Sequence, residues 1–176
     1  MKLLYLLTFL AVVLVINAKQ LPTGTYKVRV VDTVNYWDYF RGDLYLFDNN
    51  DDIFQRFIFT RLSNGYYTIN TPDNNLNVVA KKSSDPEETL SLVPPNSNDQ
   101  NQQFSLVPRK DGAYRITPRK ICDKAIEAPQ VLFIEQIFLG TIKCHCDLQH
   151  FVFEPVTDGG VELSAEESIA RRTASP

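Results

Sequence analysis

Three cysteines and two histidines are the residues whose types could support metal or nucleophilic chemistry. Cys144, His145 and Cys146 are consecutive, and together with Cys122 they could form a set of metal ligands. Structural zinc sites usually leave two to four residues between paired ligands, so adjacent ligands fit this chemistry poorly. If the chain is exported to an oxidising compartment, an odd cysteine count instead favours one disulfide and one remaining thiol. We therefore expect no metal site.

Catalytic motifs are not apparent in the sequence. His145 and His150 are its only histidines, and they fall in the cysteine cluster and beside a predicted strand. The sequence contains neither a nucleophile elbow nor a zincin motif. Acidic runs occur at 48–52 and 85–88, and such runs are typical of solvated loops. We expect a protein that is not an enzyme and that needs no cofactor.

The two ends of the chain have compositions that set them apart from the rest. Residues 1–18 combine Lys2, an apolar run and a small residue at Ala18, as a secretory signal peptide does. The alternative is a membrane anchor, but the run is shorter than the roughly 20 residues that span a bilayer. Residues 157–176 contain few large apolar side chains, which predicts a flexible C-terminal tail. We expect a secreted protein that does not insert into membranes after cleavage.

The net charge of the chain and the distribution of its basic residues do not favour binding to nucleic acid. The formal net charge is −3, and it becomes −4 when Lys2 is removed with the signal peptide. No run of Lys or Arg remains that could follow a phosphate backbone. Nucleic acid is therefore not an expected partner.

An internal repeat is the strongest signal in the sequence. Gln55, Gln102 and Gln149 stand 47 residues apart, and each is followed two residues later by Phe. A period of this length is typical of a supersecondary unit that buries its apolar face only against its copies. The pairs Gly24-x-Tyr26, Gly65-x-Tyr67 and Gly112-x-Tyr114 open the three units.

Within each unit the apolar residues alternate with a period of two. This pattern predicts short strands at 26–31, 44–47, 57–59, 66–70, 90–93, 104–107, 114–117 and 151–154. The apolar run 128–140 could be a buried helix, but its β-branched and aromatic content favours strand. Together these patterns predict an all-β protein, a β-trefoil with three repeats of about 47 residues over residues 24–156. The first strand should pair with the last, which would close the sheet.

These motifs resemble those of the ricin B-type lectins, whose β-trefoil carries one Gln-x-Trp per repeat. Phe57, Phe104 and Phe151 replace the Trp in all three copies here. The chain also resembles, more loosely, the small secreted trefoil proteins of microsporidian parasites. The resemblance implies that the motif Gln and Phe residues are structural. In that family a repeat holds sugar through an Asp, an aromatic ring and an Asn directly before the motif Gln.

Carried over to this sequence, that pattern is incomplete in every repeat. In the second repeat Asn101 precedes Gln102, and Asn77 stands where Asp is expected. In the first repeat Asp32 and Trp37 are the candidates, and Trp37 is either an exposed platform or a packed core residue. Tyr36 and Tyr39 are further candidate rings there, but Phe54 takes the Asn position. In the third repeat Asp123 and either Phe133 or Phe138 match, but Leu148 takes the Asn position.

The same resemblance implies a disulfide within the third repeat, from Cys122 to Cys144 or Cys146. It also implies a carbohydrate-binding protein whose partners are glycans or glycoproteins on a cell surface or coat. Two alternatives are an adhesion or structural protein that binds a protein partner, and a protease inhibitor that inserts the loop 94–102 into an active site.

Overall fold

The computed structural model describes residues 20–81, 89–129, 136–143 and 146–157. The predicted signal peptide lies outside the described residues, and so does the predicted tail apart from Thr157. The described chain forms twelve strands and three single-turn 3-10 helices. The strands are β1 Gly24–Val30, β2 Asn35–Phe40, β3 Asp43–Asp48, β4 Phe57–Arg61, β5 Tyr67–Asn70, β6 Asn77–Ala80, β7 Leu90–Val93, β8 Phe104–Pro108, β9 Tyr114–Pro118, β10 Lys124–Glu127, β11 Phe138–Thr141 and β12 Phe151–Pro155. The 3-10 turns are Ile53–Gln55, Gln100–Gln102 and Asp147–Gln149, and each ends on a motif glutamine.

Six of the strands close into an antiparallel barrel. The order around it is β1, β4, β5, β8, β9 and β12, and β12 pairs with β1 over five residues. The two repeated motifs are register partners on neighbouring strands, in the pairs Tyr26 with Phe57, Tyr67 with Phe104 and Tyr114 with Phe151. This shared register confirms the predicted three-fold repeat and the predicted closure, which leaves the barrel without a free edge.

The other six strands form one hairpin per repeat, β2–β3, β6–β7 and β10–β11. The alternating pattern predicted β3 and β7 but missed β2, β6 and β10. These missed strands are buried on consecutive residues, such as all four of β6, so their sequences do not alternate. The strand predicted at 128–140 is correct only near its end, because Ala128 and Pro129 are not in a strand and β11 begins at Phe138. Residues 130–135 lie outside the described residues.

The three motif phenylalanines belong to one core. Phe57, Phe104 and Phe151 are all fully buried, as predicted. Trp37 packs edge-on against Phe57 and Phe151, with ring centroids 5.7 and 5.2 Å apart. Such edge-to-face pairs add to the free energy gained by burying the rings.

The residues just before β1 are anchored to the barrel tyrosines. The Tyr67 hydroxyl donates to the Leu21 carbonyl at 2.7 Å, and the Tyr26 hydroxyl donates to the Pro22 carbonyl at 3.0 Å. Leu21 itself is buried in the core cluster. The repeated Gly-x-Tyr motif therefore holds the start of the domain as well as lining the barrel.

Candidate functional site

The three motif glutamines make the same pair of hydrogen bonds in every repeat. Each Nε2 donates to a carbonyl at or just beyond the end of the repeat's third strand, at Asp48 (2.8 Å), Pro94 (3.3 Å) and Thr141 (2.7 Å). Each Oε1 accepts from a loop N–H, at Asn50 (3.2 Å), Asn96 (2.9 Å) and Lys143 (3.0 Å). All three glutamines are buried, so these bonds satisfy backbone groups that water cannot reach. The glutamines fix the loops on which any binding residue must stand.

Asn77 braces one of these glutamines. Its Nδ2 donates to Gln102 Oε1 at 2.7 Å, and its Oδ1 accepts from the Asn70 amide. Its exposed fraction is 2%. The prediction that Asn77 offers its amide to a sugar is therefore corrected: the amide is buried and already bonded to two side chains.

Glu127 plays the corresponding part in the third repeat. Its Oε2 accepts from Gln149 Nε2 at 2.7 Å, and its Oε1 accepts from Lys143 Nζ at 2.9 Å. The carboxylate is buried, whereas the lysine is largely exposed, and this hydrogen bond raises the pKa of Lys143. The Glu127 side chain lies over Gly140, where a Cβ added to the glycine would fall 1.7 Å from Glu127 Oε2. The sequence pattern did not single out this carboxylate, although a Glu at the end of an apolar strand is a signal that indicates it.

Asp32 and Trp37 are not brought together by the fold. Asp32 is exposed in the turn after β1, in the left-handed backbone region with φ 58°. Trp37 has no exposed surface, so the prediction of an exposed platform is wrong and the alternative of a packed core residue is correct. The physical reason is that β2 carries four consecutive buried residues and places the indole between two motif phenylalanines.

Asn101 lines a cleft with a volume of about 1030 Å³. This cleft runs between the second repeat and the segment that joins β9 to β10. The side chains that line it are Val79, Ala80, Lys81, Val93, Pro94, Pro95, Asn96, Asp99, Asn101, Gln102, Lys120, Ile121 and Asp123. None of them is aromatic. Asp99 Oδ1 accepts from both the backbone N–H and the Nδ2 of Asn101, at 2.9 and 2.8 Å, and so holds the amide in place.

The cleft combines residues that sequence analysis placed in different repeats. Asp123, predicted as a third-repeat residue, shares it with Asn101 of the second. Phe138, the ring predicted to accompany Asp123, is half-buried in β11 and does not line the cleft. Phe133 lies outside the described residues. Lys81, Asp99 and Lys120 were missed because only the folded loops place them together.

Comparison with known proteins gives the fold but no sequence family. No family model matches the chain, and no curated protein matches it. Among solved structures, a designed three-fold symmetric protein, ThreeFoil, matches with a TM-score of 0.68 at 18% identity, covering 76% of this chain and 99% of that one. The Macrolepiota procera ricin B-like lectin, solved in complex with lactose, matches with a TM-score of 0.65 at 12% identity, covering 78% and 100%.

The fold is a β-trefoil. A mosquitocidal holotoxin also contains it, with a TM-score of 0.70 at 14% identity, covering 81% of this chain and 18% of the toxin. The trefoil therefore serves both as a whole protein and as a small part of a longer one. Nothing in these comparisons bears on the microsporidian resemblance, which stays a prediction.

The predicted disulfide of this trefoil is not formed between the described cysteines. Cys122 and Cys146 are both free thiols, so the bridge between them is wrong. Cys122 is exposed in the loop before β10, whereas the Cys146 thiol lies 4.0 Å from Glu127 Oε1. The alternative partner, Cys144, lies outside the described residues. Within the described ranges no group of three or more His, Cys, Asp and Glu side chains is arranged to hold a metal ion. No helix there is long and apolar enough to cross a membrane.

The middle residue of the third Gln-x-Phe motif, His150, is expected to make the stability of the trefoil pH-dependent. His150 is 3% exposed, and its Nδ1 contacts the Arg109 guanidinium. Burial, then Arg109, and to a smaller extent Arg115, lower the pKa of His150 below its ordinary value of 6.5, although Asp147 and Asp111 act in the opposite direction. The unfolded chain therefore binds a proton more readily than the folded one. Stability contributed by neutral His150 is lost as the pH falls through about 6.5, and the loss levels off below the folded pKa.

We expect the urea midpoint of unfolding to be lower at about pH 5.5 than at about pH 7.5, and His150→Gln to reduce that difference. Glutamine fits the site because Gln103 occupies the same motif position in the second repeat. The measurement is urea denaturation of both proteins at each pH. An equal pH effect in the two proteins would mean that His150 is not the group responsible.

Proposed function

We propose that this chain is a secreted carbohydrate-binding β-trefoil that engages glycans, and that the second-repeat cleft is its binding site. The observation that carries the proposal is the cleft around Asn101. Asn101 stands directly before the motif glutamine, and Asp99 holds its side-chain amide in place. Asn101 lines a space of about 1030 Å³. Carboxylates and amides there can exchange hydrogen bonds with sugar hydroxyls, and the aliphatic wall can cover the apolar face of a ring.

The lactose-bound Macrolepiota procera lectin supports the proposal at the level of fold. Identity of 12% carries no residue-level argument, so the site rests on the cleft itself. We propose binding without catalysis, because the described residues that line the cleft include no histidine or cysteine and His150 is buried against Arg109.

Asn101→Ala is expected to weaken glycan binding several-fold while leaving the fold intact. One hydrogen bond of this kind is worth about 0.5–1.5 kcal/mol, and Asn101 is only half-buried. The measurement is titration calorimetry against the best hit from a glycan array that includes lactose. Asn98→Ala is the matched control, because Asn98 is exposed in the same loop but does not line the cleft.

Equal losses in the Asn101 and Asn98 variants would place the site elsewhere on the trefoil. An array without any hit would contradict the proposal and favour the adhesion alternative, which a pull-down of secreted and coat proteins would then address. Inhibition of a protease through the exposed loop 94–102 is the remaining alternative.

A further inference from the structure

Among the described residues, two lysines in the cleft have no partner for their charge. Lys81 follows β6 and Lys120 follows β9, both are exposed, and both line the same space. Neither ammonium group makes a hydrogen bond or an ion pair with any described side chain. Two basic side chains outside the cleft are paired instead, since Arg29 bonds Glu154 and Lys143 bonds Glu127. Within the described residues, the cleft therefore contains two ammonium groups without a direct partner.

The carboxylates of the cleft, Asp99 and Asp123, are not in direct contact with these two lysines. Asp99 Oδ1 instead accepts two hydrogen bonds from Asn101. Asp123 is exposed and lines the cleft without an ion pair to a described lysine or arginine. Asp123 is therefore available to accept from a sugar hydroxyl, while the lysines remain available for an anion.

The side chains on the wall of the cleft determine which kind of saccharide would bind with the higher affinity. Its apolar side chains are aliphatic, including Val93, Pro94, Pro95 and Ile121, and none of the described lining residues is aromatic. A neutral sugar would therefore bind without the stacking that an aromatic platform supplies. A charge-assisted hydrogen bond is about twice as strong as a neutral one, so an acidic group on the sugar can supply the missing affinity.

We propose that the cleft selects acidic saccharides, with a sulfate or carboxylate of the glycan bound by Lys81 and Lys120. This inference rests on the proposed function, and it adds the class of glycan. Sulfate and carboxylate present the same anionic oxygens to the two ammonium groups, so the experiment separates them.

The experiment uses lactose, lactose with a sulfate ester on its galactose, and sialyllactose, titrated into the full mature chain. We expect at least one acidic form to bind about 3- to 10-fold more tightly than lactose. We also expect that preference to shrink as salt rises from about 50 to about 500 mM. Lys81→Gln and Lys120→Gln should each weaken binding of that acidic form about 2- to 5-fold and change lactose binding by less than about 2-fold. Lys110→Gln, an exposed lysine outside the cleft, is the matched control.

The outcomes separate the inference from the proposed function. Preference for the sulfated or the sialylated form that is lost in the Lys81 and Lys120 variants supports the inference and identifies the acidic group. Lactose binding equal to that of both acidic forms overturns the inference and leaves the proposed function standing. An acidic preference that survives in both variants, or falls equally in the Lys110 variant, also overturns it, because the anion would then bind elsewhere. Failure of every glycan on the array to bind contradicts the proposed function itself.

Discussion

Trp37→Ala is expected to destabilise the protein by about 3–5 kcal/mol, enough to unfold a domain of ordinary stability. The indole has no exposed surface and packs edge-on against Phe57 and Phe151. Alanine would leave a cavity at the point where the first and third repeats meet. The measurement is urea denaturation followed by far-ultraviolet circular dichroism.

Two controls define this result. Trp37→Phe should cost clearly less, because it keeps an aromatic ring in place and because the indole Nε1 has no hydrogen-bond partner among the described residues. Val34→Ala should change stability by less than about 0.5 kcal/mol, since Val34 is 70% exposed. A stable Trp37→Ala protein that loses only glycan binding would restore the platform reading and contradict the core described here.

The sequence predicted the barrel because its strands alternate and its motifs recur in one register. Tyr26 and Phe57 face each other across β1 and β4, and the two later repeats place the same residue types opposite each other. A 47-residue spacing therefore carries three-dimensional information that a local pattern does not. The β2–β3 hairpin was only half predicted, since the consecutive buried residues of β2 do not alternate.

The residues of the candidate site were harder to predict because the cleft depends on loops from different repeats. The alignment of the three repeats pointed to Asn101 and assigned Asp123 to a site in the third repeat. In the structure, the segment after β9 instead places Asp123 in the second-repeat cleft. The type of a residue also does not show whether it contacts a ligand or stabilises the core. Trp37 and Asn77 have the chemistry of sugar contacts, and burial alone shows that both are used inside the protein.

Gln149→Leu is expected to cost about 3–5 kcal/mol, more than the same change at Gln55, which we expect to cost about 2–3 kcal/mol. Both substitutions leave one backbone carbonyl and one backbone N–H without their partners. Gln149 additionally donates to the buried carboxylate of Glu127, and a hydrogen bond to a charged group is worth more than a neutral one. Urea denaturation of the two variants measures the difference.

A double-mutant cycle tests whether Glu127 is the cause of that difference. In a Glu127→Gln background the carboxylate is replaced by a neutral amide, so the cost of Gln149→Leu should fall towards that of Gln55→Leu. A coupling free energy of at least about 1 kcal/mol between positions 127 and 149 is expected, because the two side chains are in direct contact. Lys143 remains beside the carboxylate and limits the penalty in the single variant. Additive costs within about 0.3 kcal/mol would show that the glutamine acts through the backbone alone, as Gln55 does.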